Sequence, residues 1–252
     1  MITEFLGVGS CLPEHDQADT ASLLVDGKIL VDTGWFALRN LMRAGVQPQD
    51  VKAVFFTHMH QDHYLGLPQL LFYLMNAGHG FDHLKIYGPE GVEEIVAQAL
   101  TFGGYERHYA HFARPYVHVM QEGEVVRAEG VEVRCVNSRH AIESRSYRFT
   151  DMQTGGSFAY SGDTAPFDEF SEFAKGCKVV VHEASFDVRQ TPKDNPYCHS
   201  SCTDAARAAA NAGAQTLYMV HASEASREAT VEKAKELFGD PRRPATGDKF
   251  EF

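Results

Sequence analysis

Val51-Lys52-Ala53-Val54-Phe55-Phe56-Thr57-His58-Met59-His60-Gln61-Asp62-His63 is the stretch on which the reading of the whole chain turns. Its first half is a near-continuous apolar run of strand type. The run stops at Thr57-His58, so the three imidazoles and one carboxylate that follow occupy a strand-end loop, where functional groups are usually displayed. Such a set suits a borderline divalent cation such as zinc. His58 and His60 stand two apart and can converge on one ion. Asp62 and His63 lie on the turn and can face a second.

Three single residues farther along repeat the pattern. His140 closes Val133-Arg134-Cys135-Val136-Asn137-Ser138-Arg139. Asp163 follows Phe158-Ala159-Tyr160 and the turn Ser161-Gly162, and His221 follows Leu217-Tyr218-Met219-Val220. Each of these strands ends in a side chain able to bind a metal.

Around these points the chain falls into short strands and amphipathic helices. Strands are expected over 3–8, 21–25 and 28–31, with Asp26-Gly27 as a hairpin turn. A helix follows over 35–44 and stops at Gly45. After the strand 51–56 come a helix over 67–77, a strand over 84–87 and a helix over 90–100. The second half opens with strands over 117–120, 124–127 and 131–136, then a hairpin of 145–151 and 157–160. Helices over 168–174, 203–212 and 224–237 alternate with strands over 179–181 and 217–220, and 249–252 reads as a closing strand. Strands in blocks with helices between them predict an α/β fold in which two mixed sheets pack face to face with helices outside. One domain over 1–252 is expected, without internal repeats.

The composition fits this. Of 252 residues, 44% are apolar and 23% charged, the range of an ordinary globular protein. No apolar run is long enough for a transmembrane helix, so no membrane partner is expected. The start, Met1-Ile2-Thr3-Glu4, does not read as a signal peptide. The five cysteines are scattered, which fits reduced thiols and a cytoplasmic location. Cys198-x3-Cys202 flanks His199, but a structural zinc would need further ligands close by. The net charge of −11 opposes a large nucleic-acid footprint.

With these residues in view, the sequence resembles the metallo-β-lactamase superfamily, whose signature is His-x-His-x-Asp-His followed by a later His, Asp and His. The resemblance runs from about Leu6 to the C-terminus. It implies a four-layer αββα sandwich with a dinuclear site at one edge. It also implies that His58, His60 and His140 bind one ion, that Asp62, His63 and His221 bind the other, and that Asp163 bridges. Within the superfamily the chain is most similar to the ribonuclease Z and phosphodiesterase branch. Leu6-Gly7-Val8-Gly9-Ser10, Tyr87-Gly88-Pro89-Glu90-Gly91, Ser161-Gly162-Asp163-Thr164, His182-Glu183-Ala184-Ser185, His199-Ser200-Ser201 and His221-Ala222-Ser223 carry that likeness. The chain departs from the branch in three places. Only a short hairpin joins His140 to Asp163, where ribonuclease Z inserts a tRNA-gripping arm. Pro13-Glu14-His15-Asp16 and Thr33-Gly34-Trp35-Phe36 replace two of its other elements. With the acidic balance, these departures make tRNA an unexpected partner.

Two ions about 3.5–4 Å apart share a water and lower its pKa toward neutrality, making a hydroxide nucleophile. Asp62 is the natural acceptor for its proton. His199 is a candidate general acid, or else a cap for the helix beginning near Thr203. Asp32, His182 and Glu183 are expected to orient the ligands from behind. An all-histidine first site favours zinc, with manganese as the alternative. The Tyr- and His-rich segment 102–118 reads as a lid or as a packing or homodimer surface.

The leading expectation is a phosphodiesterase acting on a small or nucleotide-like diester. Alternatives are a lactone, thioester or β-lactam hydrolase, a ribonuclease Z-type endonuclease, and a metal-holding ligand sensor with little turnover.

Overall fold

Alternation of side chains along each strand explains how the layers are filled. In the computed structural model, which describes residues 1–252, β1 (Ile2–Gly7), β2 (Ser22–Val25), β3 (Ile29–Val31), β4 (Ala53–Phe55), β5 (Lys85–Gly88) and β6 (Tyr116–Val119) form one sheet. The second sheet holds β7 (Val125–Ala128), β8 (Val131–Asn137), β9 (Arg145–Asp151), β10 (Ser157–Tyr160), β11 (Val179–Glu183), β12 (Thr216–Val220) and β13 (Pro241–Arg242). A last strand, β14 (Lys249–Glu251), returns to the edge of the first sheet beside β1. The orders are β14-β1-β2-β3-β4-β5-β6 and β13-β12-β11-β10-β9-β8-β7. Each sheet is antiparallel in one half and parallel in the other.

Leu23, Val25, Ile29, Val31 and Phe55 point inward and meet Val133, Phe149, Phe158 and Val181 from the other sheet. Their neighbours Leu24, Leu30, Val54 and Phe56 point outward, the period of two that a strand imposes. This outer face is covered by α1 (Ala37–Arg43), α3 (Gly66–Asn76) and α4 (Val92–Phe102), with the short α2 (Gln61–Tyr64) just ahead of α3. On the second sheet the cover is α5 (Asp168–Phe173), α6 (Cys202–Ala212) and α7 (Arg227–Ala234). Ala205, Ala206, Ala209 and Ala212 let α6 lie close to its strands. The result is the expected αββα sandwich. In the β2–β3 hairpin, Asp26 and Gly27 both take positive φ, +49° and +67°, as a two-residue type I′ turn requires.

The expected elements are present with ends shifted by a residue or two. Four pieces were not foreseen: α2, inside the histidine motif; the single turn Pro48–Asp50; the π-turn Tyr105–Tyr109; and β13. The expected helix over 224–237 is a 3₁₀ turn, Glu224–Ser226, followed by the shorter α7. What matters for the site is that β3, β4, β8, β10, β11 and β12 end at the same rim of the sandwich.

Candidate metal centre

The backbone of the motif explains how it gathers its side chains. After β4 the chain stays extended through His60 (φ −80°, ψ 148°), so His58 and His60 fall on one side. The α2 turn then swings Asp62 and His63 inward. The amide and hydroxyl of Thr33 both donate to the His63 carbonyl, at 2.8 and 3.0 Å, and fix that turn.

Four groups of ligand atoms lie close together. His58, His60 and His140 form one; Asp62, His63 and His221 form another; His58, His63 and Asp163 join them; and Asp163, His199 and His221 form the fourth, with ligand atoms within 4.8 Å of one another in every group. Asp163 Oδ2 stands 3.8 Å from His58 Nε2 and 3.4 Å from Nε2 of both His63 and His221. Asp62 Oδ2 is 3.4 Å from the same two histidine nitrogens. No cysteine joins such a group, and the Cys198-x3-Cys202 pair is not part of the centre.

Hydrogen bonds behind the ligands set their tautomers. Asp32 is fully buried and accepts from the Thr57 amide (2.8 Å), the Thr57 hydroxyl (2.8 Å) and His63 Nδ1 (3.0 Å). Because the Thr57 hydroxyl spends its hydrogen on Asp32, its lone pair takes the Nδ1–H of His58 at 3.0 Å. One carboxylate thus turns the Nε2 lone pairs of both His58 and His63 toward the centre. A second relay repeats this: the Ser185 hydroxyl donates to Glu183 Oε2 (2.7 Å) and accepts from His221 Nδ1 (2.8 Å). His140 donates Nδ1–H to the Cys198 carbonyl at 3.2 Å. Thr57 and Ser185 lie inside motifs read from the sequence, but their place between an imidazole and a carboxylate shows only in the fold. Asp32 and His221 both sit at left-handed φ, +54° and +52°, a conformation that costs about 1–3 kcal/mol each and recurs at functional sites.

These contacts fit divalent cations. Nδ1 of His60 lies 3.0 Å from His58 Nε2 and 3.1 Å from His140 Nε2. Both of those are lone-pair nitrogens, and a single N–H can serve only one of them. His63 Nε2 and Asp163 Oδ1 are buried with no hydrogen-bond partner. A cation among these atoms would satisfy all of them. Burial lowers the proton affinity of His58, His60 and His140, which favours the neutral, ligating form. Burial alone would raise Asp62 and Asp163, but His221 and His63 outweigh it and hold both carboxyls well below the ordinary range.

His199 lies at the edge of the centre. Its Nδ1 is 2.8 Å from Glu183 Oε1 and 4.0 Å from Asp163 Oδ2. Burial would lower its pKa, but the hydrogen bond to Glu183 prevails and lifts the imidazole to about 9. His199 is not the cap of α6: that is Ser201, which shares a capping box with Asp204. His182 is not behind a ligand either. Alternate residues of β11 face opposite sides, so Glu183 reaches the centre while the His182 ring packs on Phe170 in the helix layer. The aromatic segment 102–118 packs on itself and on α3, through Tyr105 to the Phe112 carbonyl and Tyr109 to Asn76.

Comparison with known proteins agrees with this geometry. Residues 28–222 match the family model described as beta-lactamase superfamily domain. The ribonuclease Z of Mycobacterium marinum is 33% identical over 234 residues, 86% of this chain and 84% of that protein. Among solved structures, the metallo-beta-lactamase fold protein YhfI from Bacillus subtilis aligns with a TM-score of 0.85 at 23% identity, over 100% of this chain and 99% of that one. The short form of human tRNase Z aligns with a TM-score of 0.78 at 20% identity, again over 100% and 99%. These relatives overturn the exclusion of tRNA drawn from the missing arm and the net charge. The physical reason is that a net charge sums the whole surface, whereas bound cations are the largest charges in such a site and set the field there.

Proposed function

Starting from the fact that this chain belongs to the metallo-β-lactamase superfamily and resembles its ribonuclease Z and phosphodiesterase branch, we propose that it is a dinuclear metal-dependent phosphodiesterase. His58, His60 and His140 would hold one ion and Asp62, His63 and His221 the other, with Asp163 as the carboxylate that faces both groups. Zinc suits this nitrogen-rich set, with manganese as the alternative. Bound divalent ions would supply a water nucleophile at neutral pH and positive charge for the group under attack. The rest falls to the chain. Asp62, kept ionised by its histidine neighbours, accepts the proton of the attacking water. His199, its Nδ1–H held by Glu183, carries a proton on Nε2 for the leaving oxygen.

The Glu183–His199 pair beside Asp163 carries the phosphodiester reading. A protonated imidazole there attracts an anionic diester and protonates an alkoxide, which a thioester does not require. His199→Ala tests it. General acid help is typically worth about 10²–10⁴-fold, and a p-nitrophenolate needs little of it. The variant is expected to lose far more activity on a nucleotide alkyl diester than on bis-p-nitrophenyl phosphate, with its metal content kept. Equal losses on both substrates would refute the assignment.

A second reading, cleavage of tRNA precursors by the same chemistry, is supported by the 33% identity to a ribonuclease Z. Cleavage of a precursor at its 3′ junction by the metal-loaded protein is the result expected of it; an intact precursor would exclude it.

A further inference from the structure

Asn195-Pro196 is a turn signal, and the chain folds back there. The Cys198 amide donates to the Asn195 carbonyl at 3.0 Å, which closes Asn195-Pro196-Tyr197-Cys198 into a turn with proline at its second position. Asn195 sits at φ +27° and Cys198 at +53°. The turn ends a loop whose neck is shut by two backbone bonds, the Phe186 amide on the Ser200 carbonyl (3.0 Å) and the Cys202 amide on the Asp187 carbonyl (2.9 Å). The loop delivers two groups to the metal centre. One is the Cys198 carbonyl, 3.2 Å from His140 Nδ1; the other is His199.

The His199 imidazole is held at one nitrogen. Its Nδ1 lies 2.8 Å from Glu183 Oε1 and 3.3 Å from the Ser185 hydroxyl. The backbone that carries the ring is held by Asn195 alone. Oδ1 of Asn195 accepts from the His199 amide at 3.2 Å, and its Nδ2 donates to the His199 carbonyl at 2.9 Å. Neither backbone group bonds to any other part of the chain. The pair of bonds uses both ends of the asparagine amide. An aspartate of the same shape would keep the first bond and lose the second. None of the Asn195 bonds reaches a metal ligand.

We propose that Asn195 is the positioning residue of the general acid. Glu183 turns the ring, Asn195 fixes the backbone that carries it, and the two together present Nε2 at one point at the edge of the centre. Without the clamp the His199 backbone shifts while the ring keeps its bond to Glu183, and Nε2 swings about that bond. A displacement of about 1 Å at a reacting group costs up to about 10²-fold in rate. The assignment rests on the phosphodiester reading and deepens it: Asn195 acts through His199 rather than on the substrate.

Thymidine 5′-phenyl phosphate and thymidine 5′-(p-nitrophenyl) phosphate test it, since they differ only in how much the leaving oxygen needs a proton. The readout is kcat/KM on the phenyl ester divided by that on the p-nitrophenyl ester, a ratio that does not depend on the fraction of active protein. Asn195→Gly removes the clamp at a φ that glycine accepts. In this variant, loaded with metal, the ratio is expected to fall about tenfold, part of the larger fall in His199→Ala. Asn195→Asp, which keeps one of the two bonds, falls less. In the His199→Ala background Asn195→Gly changes the ratio no further, and metal content stays at the wild-type value throughout. An unchanged ratio in Asn195→Gly beside a lowered one in His199→Ala overturns the positioning role and leaves the proposed activity standing. So does a further fall in the double variant, or a loss of metal in Asn195→Gly. Where neither ester is hydrolysed, or His199→Ala leaves the ratio unchanged, the activity assignment falls. NMR of protein carrying isotope-labelled histidine, with His199 assigned from its alanine variant, then decides the positioning. A His199 ring signal that shifts or broadens in Asn195→Gly upholds it; one that stays as in wild type overturns it.

Discussion

Replacing Asp32 by Asn keeps the shape of the side chain and reverses the logic of two ligands. The asparagine oxygen must stay on the Thr57 amide, 2.8 Å from the present Oδ1. Its NH₂ then faces the two donors that Oδ2 now accepts, the Thr57 hydroxyl and His63 Nδ1. To avoid donor against donor, His63 must move its proton to Nε2. The Thr57 hydroxyl must turn to donate to His58, which also moves a proton to Nε2. Both ligating lone pairs are lost, one on each side of Asp163. If the protons stay, donors are left buried without acceptors at about 1–3 kcal/mol each. Altered hydrogen bonding behind a ligand lowers metal affinity by about 10–100-fold, or about 1.4–2.8 kcal/mol per ion. Competition against a chromophoric chelator measures both affinities. Thr57→Val is the control. It removes the acceptor for His58 but leaves Asp32 on His63, so it weakens the ion at His58, His60 and His140 more than the other. Wild-type affinity for both ions in Asp32→Asn, or equal losses in Thr57→Val, would refute the relay.

Other outcomes follow from the same geometry. Asp163→Ala is expected to lose both ions and all turnover, because its carboxylate faces ligands of both groups; elemental analysis after gel filtration checks this. Gly162→Ala places a Cβ 2.8 Å from that of Thr57 at φ +58°, so a destabilisation of about 1–3 kcal/mol and weakened metal binding are expected from denaturation and chelator titration. Ser201→Ala removes the α6 cap and is expected to lower stability by about 1 kcal/mol, a shift of about 2–4 °C in Tm, without loss of metal.

The strands were legible because their period-two and all-apolar runs are strong local signals, and β4 through the histidine motif is the clearest. β13 was not, because a proline-rich tail gives no such signal until it is laid along β12. The ligands could be read because each ends a strand. The relay roles of Thr57 and Ser185 could not, although both lie in quoted motifs, since a hydroxyl between an imidazole and a carboxylate is defined only once the fold brings the three together. His182 was misplaced beside Glu183, although strand alternation alone separates their faces. The exclusion of tRNA failed because net charge does not report the field at one site.

Metal-free protein titrated with zinc or manganese, with bis-p-nitrophenyl phosphate turnover followed at each addition, tests the dinuclear phosphodiesterase directly. Turnover is expected to appear as the second equivalent is taken up and to level off at two ions per chain. Full activity at one ion, or two bound ions with no diester hydrolysed, would contradict it.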